Sequence, residues 1–587
     1  MAGQYQATGE NVWLITGAAS GLGASIVEAA VVRGDKVIAT ARPAFKEKLR
    51  IVIDSLPPKD RERIRVLYLD ITDTAENTRN IMKTAIGLWG RIDVLVNNAG
   101  VAIGGVTEEE GVDAFLKQFQ TNVFGVINVT NAILPYMRER RDGTIVIIRA
   151  VLLGLVFPVL RNVRLQKQLF TLAEFTQKRV IENPAVGDLR KGMEILVDVV
   201  RGERRAVGRA WPSLLFLGAE ARDQIRAKSA MWERDLQAWS DVCCDVTNDL
   251  FPSNSLLVAD IRSTSISDTD YSILEARTSR TILDTADMSN DQTAAQKVWL
   301  ITGAGSGLGA SLAGAVLARG DKVIITGRPG SKEKMQGMVD ALPDNERDES
   351  RIRLLELDVT DTTENIRLIM KTAVDFWGRI DVLVNNAGIV VPGITEEQGV
   401  QGWERQFRTN VFGVINVTNA VLPYMRARRD GNVVILGSRS AWKNDFPGIG
   451  PYSASKAAIH SYADTLSAEV GTFNIRVLNL APAAFRTSGF DPPKPIVDHI
   501  DDYDPIRQQM AAIVKERRER SSFGDPRKGM EIVVDVVRGE GRAAGREWSS
   551  LLFLGGDALV HIREKMHKWE HDLEAWSDVA QDVTEDK

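Results

Sequence analysis

The sequence predicts an α/β protein made of two doubly wound parallel-sheet domains in tandem, the first of them incomplete. Three observations lead there. Long stretches of the chain recur once, in the same order. Within each repeat, short apolar runs alternate with helical segments. And 587 residues, 44% hydrophobic and 26% charged, suit two or three soluble globular domains rather than one.

The repeat comes first, because a missed repeat misreads the whole fold. "VWLITGAASGLGAS" begins at Val12 and "VWLITGAGSGLGAS" at Val298. "WGRIDVLVNNAG" ends at Gly100 and again at Gly388. "TNVFGVINVTNA" begins at Thr121 and at Thr409, and "RKGMEILVDVVRGE" at Arg190 answers "RKGMEIVVDVVRGE" at Arg527. The offsets are 286, 288, 288 and 337 residues, so the first copy lacks 49 residues net before its last anchor. The copies part after Ile148. This divides the chain into a degenerate domain over 1–248, a linker over 249–296 and a complete domain over 297–587. The linker is rich in Ser, Thr and Asp without a sustained period, the composition of a flexible connection. Met288 stands ten residues before the second "VWLITGA", an arrangement that fits two adjacent reading frames joined.

In the second copy "KVWLITGA", "KVIITGRP", "RIRLLELDVTD", "IDVLVNNAG", "NVVILGS", "IRVLNLAPA" and "SLLFLGG" read as seven strands. Segments such as "TENIRLIMKTAVDFW" between them read as helices, and this alternation means a parallel sheet covered on both faces. Leu559, Ile562, Met566, Trp569, Leu573 and Trp576 form one apolar stripe on the last helix, a packing face.

Charge and cysteine usage exclude several classes. A net charge of −5 gives no electrostatic footing for nucleic acid or anionic membrane. Two adjacent cysteines, Cys243 and Cys244, cannot build a disulfide framework and fit a reducing compartment. The first residues lack a basic stretch followed by an apolar one, so no secretory signal is read there. The apolar run Thr144–Leu160 is short for a bilayer and is broken by Arg149. The expectation is a cytoplasmic protein without a membrane span.

"TGAGSGLG" places Gly303, Ser306, Gly307 and Gly309 directly after the first strand of the second copy. Glycines there allow a tight turn and close approach of backbone to a pyrophosphate, and the following helix N-terminus supplies N–H donors. A carboxylate ending the next strand would bond a ribose 2′-hydroxyl. Here Gly327 and Arg328 stand there, and Ala41 and Arg42 in the first copy. A guanidinium suits a 2′-phosphate, so NADP(H) is favoured over NAD(H).

"GPYSASKAAIH" puts Tyr452 four residues before Lys456, on one helical face. A cation near a phenol lowers a pKa that otherwise lies near 10, making the phenol a usable acid or base. With "TGAGSGLG", Asp358 in "LELDVTD", "NNAG" ending at Gly388, Asn410 in "RTNVFG" and Ser438 after the fifth strand, the second copy resembles the short-chain dehydrogenases/reductases over nearly its full length. The resemblance implies a Rossmann-type fold and interconversion of a carbonyl and an alcohol by hydride transfer. It implies Tyr452 as proton donor and acceptor. Lys456 would hold the nicotinamide ribose, Ser438 the substrate oxygen, and Asn410 a water that relays protons. It further implies Asp358 at the adenine, Asn386 and Gly388 beside the nicotinamide and Thr487 on its carboxamide. Two departures stand out: Ser438 lies fourteen residues before Tyr452, one more than the family spacing, with Ser440 as the alternative, and Pro482-Ala483 replaces Pro-Gly. His460 reads as a packing or surface residue.

The first copy keeps Gly17, Gly21, Gly23, Arg42, Asp70, Asn98 and Gly100, the residues of a dinucleotide site, and Asn122. Ala150 stands opposite Ser438 and no Tyr-x3-Lys follows, so this copy is expected to be catalytically inert. Missing its sixth strand, it is expected to fold poorly by itself and to gain stability where it packs on the second copy; an internal pseudo-dimer is one arrangement. A homodimer of chains is the alternative. The expected partner is a small-molecule carbonyl or alcohol, with no metal. The competing readings are a non-catalytic dinucleotide-binding or scaffold protein, and an epimerase or dehydratase on the same fold.

Overall fold

The computed structural model describes residues 9–148, 189–207, 219–244, 296–442, 446–486, 499–519 and 523–578, with residues 209, 212, 215 and 246. The linker up to residue 295, Ala150 and Thr487 lie outside the described residues. In the first unit β1 (Val12–Ile15), β2 (Lys36–Ala41), β3 (Ile64–Tyr68), β4 (Val94–Asn97) and β5 (Thr144–Ile147) form a parallel sheet in the order β3-β2-β1-β4-β5. The second unit has seven parallel strands: β6 (Val298–Ile301), β7 (Lys322–Gly327), β8 (Ile352–Glu356), β9 (Val382–Asn385), β10 (Gly431–Leu436), β11 (Ile475–Pro482) and β12 (Leu551–Leu554). Their order is β12-β11-β10-β9-β6-β7-β8. All seven expected strands are present. Every residue of β1, β4, β6, β9 and β12 is buried, as four-residue apolar strands covered on both faces must be.

In the first unit the helices that matter below are α1 (Gly21–Val32), α2 (Thr107–Phe119), α3 (Val126–Arg140), α4 (Leu189–Arg201) and α5 (Ala219–Cys244). In the second they are α6 (Gly307–Ala318), α7 (Gly399–Phe407), α8 (Gly413–Arg428), α9 (Gly450–Val470), α10 (Pro526–Arg538) and α11 (Gly556–Ala575). The same device ties helices in both units. Arg33 after α1 reaches buried Asp198 of α4 at 2.7 Å, and Arg319 after α6 reaches buried Asp535 of α10 at 2.5 Å.

The two units pack on each other, and the contacts are reciprocal. Arg138 of α3 pairs with Glu396, while Glu108 of α2 pairs with Arg426 of α8. Each residue of one pair is the repeat counterpart of a residue in the other. At a second face Arg209 binds Asp578 at 2.6 Å and Arg546 binds Asp241 at 2.6 Å. Arg226–Glu570 and Arg563–Glu233 follow the same rule. A set in which i meets j and j meets i is the signature of a two-fold interface, here formed within one chain.

The second face exchanges helices. α5 belongs by sequence to the first unit, yet its Trp232, Leu236, Trp239 and Val242 are buried in one apolar cluster with β12 and Ile562 of the second. In return Trp576, just past α11, is buried against Ile195, Val199 and Ala206 of the first unit. The apolar stripe on the last helix is thus a packing face, as read, and its end serves the other unit.

Arg138 and Glu396 meet at 2.5 Å, and the Glu396 side chain is only 5% exposed. Glu396 also accepts from the Tyr503 hydroxyl at 2.7 Å. Arg138→Ala strands that carboxylate and is expected to destabilise by about 2 kcal/mol, read as a thermal midpoint lower by several degrees. Arg226→Ala removes an exposed pair and is expected to shift the midpoint by less than about 1 kcal/mol in equivalent stability.

Candidate active site

The strand order reverses between β6 and β9, and a parallel sheet opens its crevice at the C-terminal ends of such a pair. The glycine-rich turn lies there. Gly303 and Gly307 have φ of +62° and +61°, where only glycine is unstrained. A Cβ on Gly309 would stand 2.4 Å from Asn386 Nδ2 and 2.9 Å from the Gly303 carbonyl oxygen. Ser306 precedes α6 in extended conformation without a side-chain cap, so the first-turn N–H groups stay available to an anion.

Half-buried Asn386 braces the turn from the facing strand end. Its amide nitrogen donates to the carbonyls of Thr302 (2.7 Å) and Gly303 (3.1 Å), fixing the turn. Asp358 accepts from Thr360 N–H and hydroxyl at 2.9 and 2.7 Å. Exposed Arg328 lines a cavity of about 320 Å³ with Thr360, Ile389, Glu404, Arg405 and Arg408.

The opening of α9 carries Tyr452 and Lys456. Lys456 is buried and donates to the Leu436 carbonyl at 2.6 Å, with its ammonium 5.8 Å from the Tyr452 ring. Its Nζ lies 3.8 Å from where a Gly388 Cβ would stand. Ser438 lies near enough to the Tyr452 phenol to oppose the effect of burial on it, and its Oγ accepts from Ser440 N–H at 3.1 Å. Asn410 sits in a π-helical turn, Arg408–Phe412. Its amide exchanges two hydrogen bonds with Ile389 and donates to Ser455 at 3.1 Å, which brings it beside α9.

Electrostatics correct one expectation. Lys456 does not lower the Tyr452 phenol here; burial raises it above its ordinary value, opposed by the Ser438 hydrogen bond and the Arg439 charge. Desolvation also pulls Lys456 down to about 8. The low-dielectric surroundings oppose both charged forms, and that outweighs the attraction of a spacing near 6 Å.

His460 is a residue whose part the sequence did not show. It is buried, with burial and the Lys456 and Lys228 charges pushing it down to about 3. Its Nε2 accepts from Ser438 N–H at 3.1 Å. The neutral ring therefore carries its proton on Nδ1, which faces Asn479 Nδ2 at 2.5 Å; turning that amide over brings its unpartnered Oδ1 into place as the acceptor. Gly437 leaves the ring its space: a Cβ there would stand 2.2 Å from Nε2. The available signal was the four-residue step from Lys456, which places both on one face.

The first unit repeats the turn. Gly17 and Gly21 have φ of +66° and +55°, and a Cβ on Gly23 would stand 2.3 Å from the Gly17 carbonyl oxygen. Asn98 donates to Thr16 and Gly17, Asp70 accepts from Thr72, and Asn122 exchanges bonds with Val101. Arg42 lies over the Phe45 ring at 4.9 Å.

Comparison with known proteins agrees with this geometry. A family model described as short chain dehydrogenase matches residues 11–156 and 297–493, more than half of the chain. An oxidoreductase named BOA17 from Botryotinia fuckeliana is 30% identical over 288 residues, covering 48% of this chain and 98% of that protein. A 3-oxoacyl-[acyl-carrier-protein] reductase from Thermotoga maritima is 35% identical over 194 residues, 32% of this chain and 75% of the relative. The peroxisomal hydratase-dehydrogenase-epimerase of Saccharomyces cerevisiae is 26% identical over 521 residues, 81% of this chain and 55% of its own length. The fold and site define a nicotinamide-dinucleotide oxidoreductase. The chain belongs to the short chain dehydrogenase family, and both repeats fall within it.

Two outcomes follow from the buried groups. Below pH 8 folding holds a charged lysine out of water, so Lys456→Met is expected to raise the thermal midpoint at pH 7 by several degrees while harming the site. Between pH 6.5 and about 3 the unfolded chain protonates His460's imidazole and the folded chain does not. Stability is therefore lost as pH falls through that window, and His460→Gln flattens part of the decline in a pH series of denaturant melts.

Proposed function

We propose that the second unit is an NADP(H)-dependent oxidoreductase interconverting a carbonyl and an alcohol. The observation that carries this reading is Tyr452 with the Lys456 ammonium 5.8 Å from its ring and Ser438 acting on its phenol, with Asn410 bonded to the same helix through Ser455. The turn fits a dinucleotide: its glycines take conformations and spaces that a Cβ would fill, and α6 opens with available N–H groups. Gly303, Ser306, Gly307 and Gly309 would hold the pyrophosphate, Asp358 the adenine side, and Gly388 and Thr487 the nicotinamide side. Bound there, the cofactor supplies or takes the hydride.

The protein's part is the proton and the geometry. Ser438 holds the substrate oxygen beside the Tyr452 hydroxyl. Tyr452 donates its proton as the carbonyl oxygen gains charge, and takes it back in the reverse direction. Burial keeps the phenol protonated until that charge develops, which is the state a general acid needs. Lys456, held by the Leu436 carbonyl, would hold the nicotinamide ribose. Asn410 bridges α9 to the Ile389 loop and positions the proton path from Lys456.

Arg328, with Arg405 and Arg408 on the same cavity, supports the choice of NADP(H): three guanidiniums suit a dianionic 2′-phosphate. In the first unit the retained turn supports dinucleotide binding without catalysis, and the reciprocal interface supports a scaffold role. The division at 249–296 and placement in the cytoplasm belong to the same reading. Among the described residues no helix is long and apolar enough to cross a membrane.

The test is NADPH oxidation by the full chain against ketones, aldehydes and quinones. Tyr452→Phe is expected to lower kcat about 100-fold or more with NADPH binding kept. Wild-type turnover undiminished by this substitution would sink the reading. Arg328→Ser is expected to weaken NADPH about tenfold while sparing NADH, measured by cofactor fluorescence titration.

A further inference from the structure

We propose that Trp232, a residue of the first unit, positions Ser438 in the active site of the second. The inference rests on the reading of Ser438 as a substrate-holding group, and extends it to a unit that lacks its own catalytic segment.

The route is short and made of rigid groups. Trp232 is 5% exposed on α5, and its ring meets the edge of Trp442 at 5.8 Å between centroids and 72° between planes. Trp442 lies on the His460 ring at 4.3 Å. His460 accepts the Ser438 backbone N–H at 3.1 Å. Ser438 and Trp442 are also the two ends of one 3₁₀ turn, Arg439–Ala441, closed by Ala441 N–H to the Ser438 carbonyl and Trp442 N–H to the Arg439 carbonyl. Moving Trp442 therefore moves Ser438 from two directions, through the turn and through His460. Trp442 has the flat ring of Phe553 on another side at 5.4 Å, so Trp232 fills a remaining flank.

Trp232 is itself well held. It stands against Trp569, its own repeat counterpart, at 6.0 Å. Lys228 lies over its ring at 5.2 Å and pairs with Asp464 of α9 at 2.8 Å. Beyond α5, the Val246 carbonyl accepts Asp525 N–H at 2.8 Å, beside the Phe485–Gly524 bridge that follows β11. The first unit thus grips the catalytic turn and the rim of the same crevice.

The experiment uses the full chain with Trp232→Ala, Trp232→Phe and Arg546→Ala. It reads steady-state kcat and KM with a carbonyl from the panel, NADPH affinity, and amide hydrogen exchange of peptides spanning 437–442 and 223–246. Trp232→Ala is expected to lower kcat about tenfold or more, leave NADPH affinity unchanged and speed exchange at 437–442. Trp232→Phe, which keeps an aromatic edge, restores most of both. Arg546→Ala loosens the other end of the same face and leaves 437–442 as in the wild type. Unchanged kcat and unchanged exchange at 437–442 in a folded Trp232→Ala, with 223–246 still protected, would overturn the proposal. If the alanine variant does not fold, Trp232→Leu fills the volume without the edge contact and carries the same expectation and the same refutation. If no carbonyl is turned over by the wild type, the exchange readout alone decides, and the failure belongs to the functional reading.

Discussion

Strand β12 is buried along all four residues, Leu551 to Leu554, and its flank is closed by a helix that belongs to the other repeat. Everything else about the assembly depends on that cover. A parallel edge strand without a helix over it leaves apolar surface and backbone groups in water. α5 supplies Trp232, Leu236, Trp239 and Val242 to this surface, and at roughly 2 kcal/mol for each large buried side chain their sum is of the order of a whole domain's net stability. Each unit lends the other an apolar residue set: α5 closes the flank of β12, and Trp576 packs against Ile195 and Val199.

The active site spends some of that stability. Lys456 and His460 are both held away from water on α9, and both are pushed toward their neutral forms. Lys456 keeps one strong partner, the Leu436 carbonyl. His460 gains a different use from the same burial: a ring that stays neutral can accept from a backbone N–H, and so can fix the residue that presents Ser438. A histidine able to take up a proton near neutral pH would lose that bond.

The fold was legible, and so was the face that Tyr452 and Lys456 share, because both obey local rules. Apolar four-residue runs flanked by glycine turns can only be buried parallel strands in an alternating chain. Gly303, Gly307 and Gly309 announce a tight turn by spacing alone, and Tyr452 and Lys456 share a face by helical geometry. The direction of the Tyr452 shift was not legible, because spacing gives the attraction of a cation but not the depth of burial that opposes it. Nor does spacing show that Asn386 turns inward to the Thr302 and Gly303 carbonyls. The helix exchange was hidden for another reason. An apolar stripe on α11 shows that something covers it, and not whose core does; the partners of Trp576 lie in α4, hundreds of residues earlier. His460 was read as a packing residue, which it is, but only the structure puts Ser438 N–H on its ring.

The repeat itself bears on what the first unit is for. A two-fold interface uses the same residues from both sides, so both members must remain for either pair to form. Glu108 and Arg138 recur as Glu396 and Arg426, and Arg209 and Asp241 as Arg546 and Asp578, on either side of the stretch where the copies part. Among the described residues α9 has no counterpart in the first unit, and there the symmetry fails. Glu469, near the end of α9, accepts from the backbone N–H and the hydroxyl of Thr107, which is buried. Thr395, the counterpart of Thr107, is exposed in the second unit. The first unit therefore keeps the residues that pack on the second while its sequence lacks the Tyr-x3-Lys motif that catalysis would need. That is the pattern of a unit constrained by its contacts, and those contacts lead, through Trp232, to the site of the other.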